Sequence, residues 1–162
     1  MFTKHKNILV FGNIDSGKLP FSIIFVDFYK KGTVLSENGE YHLDKTKNPR
    51  EKGGVYMADV SYISYEKASK EEQNSWEERI PVSPTLSVEV VSAKYGLKDA
   101  LRKMKNVWMK HGTDIGLVVC PFSKKIFIFE KNTSGYSEQS ILETFTHPLL
   151  PDYIGDFRNY VD

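Results

Sequence analysis

Short runs of apolar and β-branched residues recur along this chain, most of them too brief for a helix, and they predict a sheet. The strand-like runs are Asn7 to Phe11, Thr33 to Ser36, Glu40 to Leu43, Val55 to Ser64, Pro84 to Ser92, Ile115 to Cys120 and Lys125 to Phe129. Asn38-Gly39 lies between the second and third runs and suits the positive φ angles of a tight hairpin turn. Pro121 to Lys124 joins the last two runs as another hairpin. Phe21 to Tyr29 is apolar on nearly every side, which leaves a buried helix or strand open; we read it as a helix.

Between Lys94 and His111 the period changes. Leu97, Leu101, Met104 and Trp108 recur at helical spacing and form one packed face, with Gly112 placed as a C-terminal cap. Tyr65 to Glu78 is charged and poor in apolar residues, an exposed helix or loop ending before Pro81 and Pro84. Asp44 to Gly54 reads as a loop, and Leu149 to Phe157 as a short tail that docks on the sheet. The expectation is one α/β domain over residues 1–162, with a mixed central sheet flanked by helices.

Two of the strand runs each carry a lone acid, Asp59 and Glu89. A carboxylate in a sheet loses several kcal/mol of hydration unless a cation or donor compensates. Each acid could be satisfied by lysine, arginine or backbone donors, but two acids on adjacent strands could also share a divalent cation. A lysine-rich helix follows, so the order strand-Asp, strand-Glu, basic helix suggests metal-assisted phosphodiester chemistry. Hard oxygen ligands hold Mg²⁺, with Mn²⁺ as an alternative, and a lysine stabilises developing negative charge. Lys103 lies on one flank of the apolar helix face, beside Ala100 and Val107; Lys94, Lys98 and Lys105 lie on the other, so Lys98 is its rival.

Composition narrows the remaining choices. The 162 residues are 40% hydrophobic and 13% aromatic, enough for a core, and 22 basic against 21 acidic residues leave no bulk charge favouring nucleic acid. Any such binding must come from local clusters. A single cysteine, Cys120, excludes an intrachain disulfide and multi-cysteine metal sites, and its apolar strand makes it a core residue. That absence and the lack of a membrane-length apolar run lead to an expectation of a soluble, intracellular protein with no membrane partner. The four histidines show no metal-ligand spacing, and Ser92 lacks the Gly-x-Ser-x-Gly elbow of a hydrolase nucleophile. Trp76 and Trp108 read as packing residues. Gly12 to Lys18 has phosphate-loop spacing, but Leu19 cannot ligate Mg²⁺ and Pro20 opposes a helix start, so a strand followed by a turn is the plainer reading.

From about Thr33 onward the chain resembles the Uma-type family of restriction-endonuclease-like proteins within the PD-(D/E)XK nuclease superfamily. The resemblance rests on Ala58-Asp59-Val60, on Val88-Glu89-Val90-Val91-Ser92, and on Asp99 followed by Lys103. It continues through Gly112 to Pro121, Lys125 to Phe129, and Leu150-Pro151-Asp152-Tyr153-Ile154. It implies a restriction-endonuclease-like core and a metal-dependent endonuclease acting on DNA. Asp59 and Glu89 would be the Mg²⁺ ligands, and Lys103 the catalytic lysine. The alternative is a catalytically inactive nuclease fold that binds nucleic acid or a protein. Superfamily members often act as dimers to cut two strands, so the resemblance leaves a homodimer open, although no stretch of the sequence identifies an interface. The chain departs from the pattern in four places. Ala58 replaces a proline, and Val91 stands where the superfamily lysine usually sits. The stretch from Lys103 to Gly112 is one residue longer, and the N-terminal segment, about residues 1–32, is shortened.

Overall fold

The computed structural model describes residues 8–11, 21–25, 31–36, 39–44, 54–76 and 79–158. In chain order the strands are β1 (Ile8–Phe11), β2 (Phe21–Phe25), β3 (Gly32–Ser36), β4 (Tyr41–His42), β5 (Val55–Tyr56), β6 (Val60–Ser64), β7 (Leu86–Val90), β8 (Ile115–Cys120), β9 (Lys125–Glu130), β10 (Ser137–Ser140), β11 (Phe145–His147) and β12 (Leu150–Gly155). Helix α1 (Lys70–Ser75) follows β6, and α2 (Leu97–Lys103) follows β7 and runs directly into a π-helical segment, Met104–Met109.

A six-stranded mixed sheet, ordered β10-β9-β8-β7-β6-β3, forms the frame of an α/β fold. Every neighbouring pair is antiparallel except β7 and β8, which run parallel. Parallel neighbours need a long crossover, and α2 with its π segment supplies it. Alternation along the strands then makes two faces. Val60, Leu86, Val88, Leu117 and Val119 point to one, where Ile141, Phe145, Leu150 and Phe157 cover them. Ile63, Val91, Val118 and Cys120 point to the other and pack against Met104 and Trp108 of the π segment. The expected docking of the C-terminal tail is visible in the first of these layers.

Close approach of the π segment to the sheet has a sequence cause. Gly116 lies under Met104, and a Cβ there would sit 2.3 Å from the Met104 sulfur. The π segment is capped at Lys110, two residues before the expected Gly112, whose φ of +94° is a conformation that glycine adopts at little cost. Helix α1 is short but well started, with Ser69 and Glu72 forming a reciprocal capping box.

Several elements differ from the sequence expectation. Phe21–Phe25 is a strand, not a helix: it pairs with β1 on one side and β12 on the other, in a second sheet ordered β1-β2-β12-β11. An aromatic and β-branched run with no polar side fits a strand with neighbours on both edges as well as it fits a buried helix, so those neighbours decided it. The Thr33/Glu40 hairpin does not form either, because β3 pairs with β6 and β4 pairs with β5. The Val55 to Ser64 run is two strands broken at Met57–Asp59. Gly12 to Lys18, His5 and Glu37-Asn38 lie outside the described residues. Among the described residues, no helix is long and apolar enough to cross a membrane.

Candidate active site

Pairing of Val60 with Val88 brings the residue before β6 alongside the end of β7. There the Asp59 Oδ2 accepts the Val90 backbone N–H at 2.6 Å, which fixes one carboxylate against the strand that carries the other. Glu89 projects to the helix-covered face and is only 6% exposed. Lys103 Nζ donates to its Oε2 at 2.8 Å, and Trp108 Nε1–H donates to its Oε1 at 2.7 Å. The same ammonium donates to the Met57 carbonyl at 2.8 Å and stands 6.0 Å from the centre of the Trp108 ring. Burial pushes the Glu89 carboxyl up to about 6; Lys103 opposes the shift, the nearby Asp59 charge adds to it, and the Trp108 hydrogen bond opposes it.

Lys103 and Trp108 both reach Glu89 because the helix changes pitch between them. Five residues apart on an α-helix, they would point about 140° away from each other. The π segment widens the turn so that positions five apart share a face, as its bonds from Lys110 N–H to Lys105 O (3.2 Å) and from Thr113 N–H to Trp108 O (3.1 Å) record. Lys98, the rival lysine, is exposed and makes no hydrogen bond or ion pair among the described residues. Asp99 pairs with Arg102, not with Lys103.

Strands β4 and β5 form an arm over this site. Tyr41 and Tyr56 meet the Trp108 ring edge-on at 5.2 and 6.4 Å between centroids, and the Tyr41 hydroxyl donates to Ser61 Oγ at 2.6 Å. The arm is tied to the end of the π segment through Asp44, which accepts the Tyr56 hydroxyl at 2.7 Å and lies 2.9 Å from His111 Nε2. Those two partners hold the Asp44 carboxyl below its usual range. His111 Nδ1 faces the Val107 carbonyl at 2.6 Å, so both ring nitrogens of His111 face acceptors. Sequence reasoning found none of this second layer. The available signal was Trp108, since a buried indole N–H usually finds an acceptor.

A family model described as Uma2, putative restriction endonuclease, matches residues 34–159. The chain belongs to the Uma2 family. Among solved structures, a putative nuclease belonging to DUF820 from Anabaena variabilis shares the fold of this Uma2 chain with a TM-score of 0.60, at 12% sequence identity, over 82% of this chain and 69% of that one. No curated protein matches it in sequence. Among the described residues of this Uma2 member, no group of three or more His, Cys, Asp or Glu side chains lies close enough to hold a metal. In donor chemistry, Asp59 and Glu89 are hard oxygen ligands of the kind that Mg²⁺ takes, commonly one or two carboxylates with several waters.

Proposed function

We propose that this chain hydrolyses DNA phosphodiester bonds with a divalent cation, Mg²⁺ or Mn²⁺, held by Asp59 and Glu89, and with Lys103 as their electrostatic partner. The observation that carries the reading is the Lys103 ammonium 2.8 Å from a carboxylate that is almost wholly buried, beside a second acid immediately before the neighbouring strand. A cation held by Asp59 and Glu89 would supply Lewis acidity at the phosphate and lower the pKa of a water beside it.

The chain's own residues provide positioning and charge. The Val90 N–H holds Asp59, and the Trp108 N–H holds Glu89 by the oxygen that Lys103 does not take. Lys103, oriented by the Met57 carbonyl and partly exposed, can turn its charge toward phosphate oxygens as negative charge builds on them. Cutting both strands of a duplex takes two such sites, which a homodimer would supply.

Incubation of a supercoiled plasmid with the protein and Mg²⁺ or Mn²⁺ tests this directly. Asp59→Ala and Glu89→Ala should abolish nicking, and Lys103→Ala should slow it on the order of 100-fold. Undiminished nicking by Glu89→Ala would sink the proposal.

The second reading, an inactive nuclease fold that binds nucleic acid or a protein, is favoured by one observation. Both Glu89 oxygens already have protein donors, so the carboxylate is satisfied without a cation. Calorimetric titration of Mg²⁺ into the protein with DNA present separates the two: heat that is lost in Glu89→Ala supports catalysis, and no metal effect supports the inactive fold.

A further inference from the structure

The turn between the Glu89 strand and the Lys103 helix carries an aromatic ring for which the fold has no internal use. Val91 is buried, and its N–H donates to the Val119 carbonyl at 2.9 Å; from Ser92 to Tyr95 the chain then stands out in solvent. Gly96 N–H donates to the Ala93 carbonyl at 2.8 Å and closes a β-turn with Lys94 and Tyr95 at its two central positions. The Gly96 carbonyl accepts the Ala100 N–H at 3.0 Å, which fastens the turn to the first turn of α2. Tyr95 is thus presented on a hydrogen-bonded corner, not on a loose loop.

Tyr95 is 89% exposed, more than any other large hydrophobic residue among those described, and makes no hydrogen bond or ring contact among them. Tyr136 offers the contrast, since its ring lies against Phe127 and Phe129. In sequence Lys94 and Lys98 flank Tyr95, both exposed and both without an ion pair among the described residues, while the acid nearest in sequence, Asp99, is taken by Arg102 at 2.9 Å. The corner therefore offers one π-face and two uncompensated positive charges.

We propose that Lys94, Tyr95 and Lys98 form a platform for single-stranded DNA, Tyr95 stacking on an unpaired base while the two ammonium groups contact the flanking phosphates. Bases inside a duplex already have both faces covered by neighbours, so a ring on a corner finds a stacking partner only where a base is unstacked. Two exposed lysines beside the ring, neither with an ion pair among the described residues, suit an anionic strand. Because the turn links the strand that carries Glu89 to the helix that carries Lys103, the platform would favour cleavage beside unpaired nucleotides. That consequence for cleavage rests on the proposed nuclease function; the binding itself does not.

Fluorescence anisotropy with the full chain tests the binding, using a short fluorescein-labelled single-stranded oligonucleotide and a blunt-ended duplex of two fully paired strands, both in EDTA so that no metal-dependent cleavage intervenes. The single strand should bind more tightly than the duplex. Tyr95→Ala should weaken single-strand binding on the order of 10-fold and leave duplex binding unchanged, with Tyr95→Trp retaining wild-type affinity. Removing both lysines, Lys94→Ala with Lys98→Ala, should lower the salt-dependence slope by about 1.4. Equal single-strand affinity of wild type and Tyr95→Ala, an equal loss on both probes, or no binding by the wild type overturns the platform. Intact Tyr95-dependent binding in a protein that never nicks DNA would instead overturn only the nuclease reading.

Discussion

Glu89 is a titratable group held inside a packed layer, and its surroundings set the pH at which it ionises. Its folded pKa of about 6 lies above the 4.5 of a solvated glutamate, so the folded chain keeps the proton longer than the unfolded chain does. Its stabilising contribution is complete below about pH 4.5 and is lost as pH rises through about 6, a change of about 2 kcal/mol. Glu89→Gln cannot titrate. Urea midpoints of the two proteins without added metal, measured from about pH 4 to about pH 7, should therefore diverge across that window, with wild type losing ground as pH rises. A gap that stays constant would mean that the folded state does not burden the carboxylate. Gly116 is the other position where one atom decides the outcome. An added Cβ would meet Met104, which is itself fully buried, so Gly116→Ala should cost about 1–3 kcal/mol in thermal unfolding. Combined with Met104→Ala, the two changes should cost less than the sum of their separate losses, since the two act on one contact.

Legibility in the sequence followed how far each element depends on distant partners. The strands β7, β8 and β9 and the apolar face of the crossover helix were readable, because period and turn residues are local properties. Lys103 could be placed on a flank of that helix in the same way, though not above Lys98. Phe21–Phe25 was not readable as a strand, because its neighbours, β1 and β12, come from the two extremes of the chain. Tyr41–His42 was expected to pair with the preceding run and pairs instead with β5, leaving β3 to β6. The role of Trp108 was hidden for a different reason: it follows from the π pitch, and an α-helical wheel places its indole far from Lys103. The arm of β4 and β5 belongs to this scale too. His111→Ala removes one of the two partners that Asp44 has on the arm and the helix end, so backbone amides of Tyr56 and His42 should exchange hydrogen faster than in wild type. Unchanged exchange would show that the Tyr41 and Tyr56 contacts with Trp108 hold the arm without it.

Across the whole molecule, one sheet separates two kinds of packing. One face is closed by residues of the C-terminal segment and the other by the crossover helix, and the acids emerge on the helix side at the edge of that second layer. Asp59, Glu89, Lys103 and Trp108 all come from a stretch of about fifty residues, so the site assembles within β6, β7 and the crossover. The π segment gives that stretch a latitude in chain length. Deleting exposed Asn106 would leave the lysine and the tryptophan four positions apart, about 40° on an ordinary α-helix, where side chains of one face already meet. The shortened chain should unfold near the wild-type midpoint and keep both donors on Glu89, read as an unchanged titration of that carboxyl. Such an outcome would mean that the helix can lose a residue between its two functional side chains without either one leaving its post, a tolerance of deletion in the part of a protein where length is usually least free to change.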